Sequence, residues 1–345
     1  MVINEQSHKL IKKLAEENPS IKLTIGYLRN GRTSFKLFDA TGEIPYKNHA
    51  YEIGSISKVF TTSLLAKYLQ AGKMNINDSV AKYIPELDED RYYPTLLRLA
   101  THTAGYQSEA LTLGEIIKVI FKANWTAIRK KPSGYFDAFG VVDYEKLIWF
   151  AKKTKLEDKD YEWGYTDYSI ALLAEAVCQM AGTPYDELMT AFLDNELSLK
   201  HTKTIANRPD MLDGYLYNYN VGTMKLYRKG DYATPAGGIT STAEDLLNFA
   251  KMNIEENPSY LGLTHKVYAT TQKGYDMGLG WWNWNKQQYP AHSHTGGSEG
   301  FSTALTFVKE LEMAVVILAN VGNYCPLELS NAISNGQGRI EKDCP

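Results

Sequence analysis

The chain has 345 residues, 44% of them hydrophobic and 22% charged, with a formal net charge of −3 and a pI near 6.2. That length and apolar content support a large core, in one big domain or two smaller ones. No basic excess exists to neutralise phosphates, which argues against nucleic acid as a partner, while 24 tyrosines and 6 tryptophans suit clefts for organic ligands as well as a core.

The opening stretch, MVINEQSHKLIKKLAEENPS, predicts an amphipathic helix with charges throughout. It has no apolar h-region, so it does not read as a signal peptide, and no apolar run reaches the length of a membrane span. As written, the chain is expected to be soluble and cytoplasmic, or extracytoplasmic if a signal was removed ahead of it.

IKLTIGYLR (21–29) and TSFKLFDA (34–41) are rich in alternating apolar and β-branched residues and predict a β-hairpin turning at Gly31. A helix over 55–71 follows, stopped by Gly72. Its apolar residues Ile56, Val59, Phe60, Leu64, Leu65, Tyr68 and Leu69 cover much of the circumference, as in a central, buried helix. From about 75 to 265 the text is mostly helical or irregular. LTLGEIIKVIFKANW, YEKLIWFAKKT, YSIALLAEAVCQMAG, PYDELMTAFLDNEL and STAEDLLNFAKMNI show helical spacing, and 200–233 is irregular.

Strands return with MGLGWWNWN, FSTALTFVK and MAVVILAN, the last two as a hairpin across Glu310–Glu312, before a short helix near 326–334. The fold class is α/β (α+β): an antiparallel sheet built from both chain ends and flanked by helices, with a mostly helical inserted domain. The expected boundaries are 1–75 with 266–345 for the sheet domain and 76–265 for the helical one, with the active site in the cleft between them. Cys178, Cys325 and Cys344 are sparse, odd in number and without CxxC spacing, which argues against a disulfide framework; Cys178 reads as a buried small hydrophobe.

Ser55 and Lys58 stand one turn apart on the same face at the head of the buried helix. The free N–H groups and dipole of a helix N-terminus favour negative charge there, and a partly desolvated lysine can lose its proton near neutral pH and activate a serine hydroxyl. Ser79 and Lys82 share the spacing but sit in DSVAKYIPEL, a polar segment that reads as a surface turn. The plainer alternative for Ser55 is a helix cap. A buried lysine without a role would be costly, which favours function for Lys58.

His292 and His294 alternate along a strand on one face, but no third ligand is evident, so no metal is expected. His102 in THTAG reads as a turn hydrogen-bonder, and Trp281, Trp282 and Trp284 as sheet and core residues. Glu299 either lines a cleft or faces solvent.

With these pieces in view, the chain resembles the serine β-lactamase and penicillin-binding-protein superfamily, in particular the branch of class C β-lactamases, HTG-type DD-peptidases, D-aminopeptidases and related esterases. YEIGSISKVFT (51–61), GKMNINDSVAKYIPEL (72–87), LATHTAGY (99–106), TPAGGITSTAEDLLNF (234–249), MGLGWW (277–282) and HTGGSEGF (294–301) resemble family landmarks in order and spacing. For the family's Tyr-x-Asn motif, Tyr46 precedes the nucleophile segment, while Tyr135 and Tyr165 follow it; only Tyr165 runs into an apolar helix, as the family pattern does. Asp167 stands where the family usually has asparagine; it could instead cap the helix over 168–181. An ionised carboxylate only accepts hydrogen bonds, which puts ordinary recognition of β-lactams or acyl-D-Ala amides in doubt.

The resemblance implies catalytic roles for Ser55, Lys58, Tyr165 and His294, and substrate-binding roles for Asp167, Thr295, Gly296 and Gly297. Ser55 would attack a carbonyl, Lys58 and Tyr165 would share proton transfer, and the Ser55 and Gly297 N–H groups would form the oxyanion hole. His294, in place of the strand lysine, would help to fix Tyr165 or the substrate. The implied function is a metal-independent, cofactor-free serine hydrolase acting through an acyl-enzyme on D-amino-acid peptides, cell-wall-type peptides or small esters. The alternatives are a catalytically silent binder of peptide or cell-wall fragments, or an acyltransferase using the same nucleophile. The expected partner is a small-molecule or peptide substrate, with no nucleic acid and no transmembrane segment; the sequence leaves the oligomeric state open.

Overall fold

A computed structural model describes residues 3–88, 90–106, 114, 117, 121, 142–204, 208–223, 231–322, 324–334 and 336–337. Its strands are β1 (Leu23–Arg29), β2 (Arg32–Asp39), β3 (Gly42–Ile44), β4 (Ala50–Glu52), β5 (Gly214–Leu216), β6 (Tyr219–Gly222), β7 (Thr240–Thr242), β8 (Ala269–Thr270), β9 (Asp276–Met277), β10 (Trp282–Trp284), β11 (Ala291–Gly297), β12 (Ser302–Val308) and β13 (Met313–Ala319). The helices that matter here are α1 (Glu5–Glu17), α2 (Ser57–Gln70), α3 (Asp167–Ala181), α4 (Ala243–Glu255) and α5 (Leu327–Ile333).

Nine strands form one sheet in the order β3-β2-β1-β13-β12-β11-β10-β9-β8, antiparallel throughout. The first strand pairs with the last, Leu23 opposite Ala319 and Arg29 opposite Met313, so both chain ends build the sheet. Asn30 and Gly31 join β1 to β2 with φ of 48° and 73°. Two consecutive left-handed residues make the two-residue turn that matches strand twist.

β12 and β13 are buried along their whole length. One face packs on Leu246, Leu247 and Phe249 of α4, the other on Ile11 and Leu14 of α1 and Leu327 and Ile333 of α5. A strand covered on both faces reads as a continuous apolar run, which MAVVILA is. α4 lies inside the sequence span 76–265, yet it packs on the sheet, and β7 from the same span pairs with β4.

The helix after β4 is uniformly apolar because it is enclosed: residues 57–66 of α2 are all buried. Its chain turns away at Gly72, which takes φ of +67° just beyond the last turn.

Three expectations need correction or placement. MGLGWWNWN is not one strand; Gly278 and Gly280 turn the chain, with Gly280 at φ of +76°, and divide it into the end of β9 and β10. Cys325 is disulfide-bonded, against the expectation drawn from sparse cysteines, whereas Cys178 is free and buried as expected. The predicted helix LTLGEIIKVIFKANW falls almost wholly outside the described residues, as does Tyr135. Among the described residues no helix is long and apolar enough to cross a membrane.

Candidate active site

Ser55 does not occupy the first turn of α2. It sits in a single 3-10 turn, Gly54–Ile56, that leads β4 into the helix. Gly54 holds φ of +52°, and a Cβ there would lie 2.6 Å from the Gly297 nitrogen, so the serine turn rests backbone to backbone on the end of β11. Ile53 receives further anchoring, since its carbonyl oxygen accepts from the Thr303 hydroxyl at 3.0 Å. Beside it the buried Glu52 carboxylate accepts from the Ser298 hydroxyl at 2.6 Å. The turn is therefore tied to β11 and β12 on both sides.

Lys58 points back from α2 with no solvent exposure. Its Nζ donates to Ser55 Oγ at 2.9 Å, to Asp167 Oδ1 at 2.6 Å and to the Ala236 carbonyl at 2.8 Å. All three ammonium hydrogens thus have acceptors. Burial pushes the Lys58 pKa down, but the Asp167 carboxylate and the Tyr165 hydroxyl more than offset it, and the net direction is upward. Lys58 is an ammonium at neutral pH.

Tyr165 reaches this point from the loop before α3, and Asp167 from the first residue of that helix. Thr166, not Asp167, caps that helix, its hydroxyl accepting from Ser169 N at 3.1 Å; the capping alternative for Asp167 is thereby corrected. The Tyr165 ring lies 4.7 Å from Lys58 Nζ. Burial raises the Tyr165 pKa against the opposing pull of Lys58 and Ser55, so the phenol stays protonated at neutral pH.

His102 does more than close a turn. At φ of +57° it directs its carbonyl to Gly164 N at 2.8 Å, and its ring packs 4.6 Å from the Tyr165 ring. It buttresses the Tyr165 loop. His294 on β11 is fully buried, stacks on Trp282 at 4.6 Å and stands 6.3 Å from the Tyr165 ring. Its Nδ1 lies 2.6 Å from the Thr295 carbonyl, which makes Nδ1 the protonated nitrogen and Nε2 the acceptor. Burial, reinforced by the nearby Lys58 charge, holds its pKa down to about 3, and the same two causes push His102 well below the usual imidazole range.

The structure thus brings Ser55, Lys58, Tyr165 and Asp167 together, with the His294–Gly297 strand alongside. Thr295 is buried, Gly297 is exposed at the strand end, and Gly296 faces Ile53. Ser79 and Lys82 are elsewhere, Ser79 accepting from Ala81 N and Lys82 paired with Asp78 at 2.7 Å. Tyr46 is occupied locally with Asn48 at 2.9 Å. Sequence reasoning did not single out the Ala236 carbonyl as a lysine acceptor, although it lies in the TPAGG segment that the family resemblance had marked.

The beta-lactamase family model matches residues 9–332. A beta-lactamase of Pseudomonas fluorescens is 25% identical over 358 residues, covering 90% of this chain and 91% of its own. The chain superposes on the crystal structure of a beta-lactamase/D-alanine carboxypeptidase from Pseudomonas syringae with a TM-score of 0.76 at 22% identity, over 96% of this chain and 98% of that one. An octameric penicillin-binding protein homologue from Pyrococcus abyssi gives 0.79 at 20% identity, over 98% and 78% of the two chains. At such identity the structural likeness shows a shared fold.

Proposed function

This chain belongs to the beta-lactamase family of serine hydrolases, and on that premise we propose that it is a metal-independent hydrolase that forms an acyl-enzyme at Ser55. The observation that carries the reading is the 2.9 Å hydrogen bond between Lys58 Nζ and Ser55 Oγ, in a turn pressed against Gly297.

In this reading Ser55 Oγ attacks a carbonyl carbon, and the Ser55 and Gly297 N–H groups stabilise the oxyanion. Lys58 fixes Oγ and lends positive charge. The Tyr165 hydroxyl relays the serine proton to the leaving group, a task suited to a protonated phenol. His294 aligns Tyr165 from β11, and Thr295 with Gly296 and Gly297 lines the substrate along the strand end. The cleft lies between residues 1–75 with 266–345, which supply Ser55, Lys58 and His294, and residues 76–265, which supply Tyr165 and Asp167. Substrates are D-amino-acid peptides, cell-wall-type peptides or small esters.

One observation favours a second reading, a family member that binds such peptides without turnover: the Asp167 carboxylate keeps Lys58 protonated and so weakens it as a base. Intact-mass analysis after exposure to a fluorophosphonate, a penicillin and a nitrophenyl ester separates the two. A mass gain on Ser55 supports the hydrolase; no adduct with any of the three leaves the binder.

A further inference from the structure

Two features of the site are set by single residues. The groups whose charges act on Lys58 are Asp167 and Tyr165, and Lys58 in turn acts on His102 and His294. Of these five groups only Lys58 is cationic at neutral pH, and it is already committed to Ser55, Asp167 and Ala236. The strand position that carries lysine in much of the family holds the neutral, buried His294 instead. A substrate carboxylate therefore meets no uncommitted cation in this set.

The carboxylate of Asp167 is placed differently. Its side chain is 37% exposed while Lys58 is wholly buried, so the ion pair presents its acidic partner to solvent. The Tyr165 ring, two residues earlier in the chain, is partly accessible, with the Trp163 ring 6.2 Å from it. An exposed carboxylate attracts an ammonium ion and repels an anion.

We propose that Asp167 is the specificity-determining residue of this site and selects acyl donors that carry a free α-ammonium group over N-acylated or carboxylate-bearing ones. The inference rests on the acyl-enzyme reading and names its substrate class. A substrate ammonium that shares the Asp167 carboxylate weakens its hold on Lys58. The preference therefore extends to kcat as well as KM, because the Lys58 ammonium, less engaged by Asp167, is freer to hold Ser55 Oγ and lend its charge to acylation.

The test uses the full chain and its Asp167→Asn variant with alanine p-nitroanilide (both enantiomers), the N-acetyl form of each, and a chromogenic cephalosporin. Fluorophosphonate labelling of Ser55 serves as the independent readout of the nucleophile. The expected result is a kcat/KM preference of about tenfold or more for the free amine in the unmodified chain, largely lost in Asp167→Asn, where cephalosporin turnover rises. Labelling that persists together with no such preference, or with a preference that Asp167→Asn leaves unchanged, overturns the inference alone. Absence of labelling in the unmodified chain takes down the acyl-enzyme reading and the inference with it. A binding measurement guards against a variant that does not fold: in the unmodified chain alanine amide should protect Ser55 from labelling at lower concentration than N-acetylalanine amide, and equal protection also overturns the inference.

Discussion

A Cβ added to Gly296 would stand 1.8 Å from the carbonyl oxygen of Ile53. The serine turn and the end of β11 are thus in contact through backbone alone, and the 3.0 Å hydrogen bond from Thr303 to the same carbonyl leaves it little room to move. Gly296→Ala should lower stability by about 2 kcal/mol or more and displace Ser55. Gly297→Ala, where an added Cβ meets nothing within 4 Å, should cost less than about 1 kcal/mol in stability. Urea midpoints of the two variants check this, and equal losses would reject the backbone contact as the reason for Gly296.

Ser55→Ala should abolish fluorophosphonate labelling and leave the thermal midpoint within a few degrees of the parent, because Ser55 is partly exposed and its hydroxyl caps nothing. Ser57 is the neighbouring hydroxyl that could be mistaken for it. Ser57 is fully buried, and its Oγ accepts from Ile239 N at 3.0 Å. Ser57→Ala should therefore cost stability, about 1–3 kcal/mol for the orphaned N–H, while labelling persists. Labelling that survives Ser55→Ala and disappears in Ser57→Ala would reverse the assignment.

Much of this arrangement was legible in the sequence because it is local. The Asn30–Gly31 turn needs two left-handed residues, and an unbroken apolar α2 must be enclosed. Ser55 and Lys58 lie three residues apart at the head of that helix, so spacing and the buried helix together placed them side by side, whereas the same spacing in Ser79 and Lys82 did not. What was not legible depends on contacts distant in sequence. The third acceptor of Lys58 is a backbone carbonyl, at Ala236, and no side-chain pattern announces a carbonyl. The assignment of the helix cap to Thr166 rather than Asp167 turned on one residue of phase. That choice decided whether Asp167 was spent on its own helix or left to Lys58. The break in MGLGWWNWN came from the left-handed Gly280, against strong local alternation.

Tyr165→Phe removes one hydroxyl from a ring that His102 packs at 4.6 Å, so the loop should keep its place. Turnover of a nitrophenyl ester should fall by more than about tenfold if the phenol carries the proton. KM should change less than kcat. A pre-steady-state burst that is preserved while steady-state turnover falls would assign the phenol to deacylation; a slower burst assigns it to acylation. Unchanged kcat would remove Tyr165 from the proton path.

The last expectation concerns acid. His294 is held down to about 3, His292 to about 4 and His265 to about 2, each chiefly by burial, and His102 lies well below its ordinary value for the same reason. A depressed imidazole pKa means that the unfolded chain binds a proton that the native state refuses. That difference begins near the unfolded value of about 6.5 and ends at the folded pKa. Stability therefore rises with pH inside this window and falls as acid is added, by up to about 1.4 kcal/mol per pH unit for each imidazole. Buried Glu175 and Asp245, whose pKa values burial raises, act in the opposite direction, so a single pH curve cannot isolate the histidines. The difference between His294→Asn and the parent can. The variant should be less stable at pH 7, because Asn cannot fill the stack on Trp282, but its urea midpoint should fall less steeply between about pH 6 and pH 4. Parallel curves for the two proteins would mean that His294 takes up its proton in the folded state, and that β11 gains a cation beside Tyr165 in mild acid.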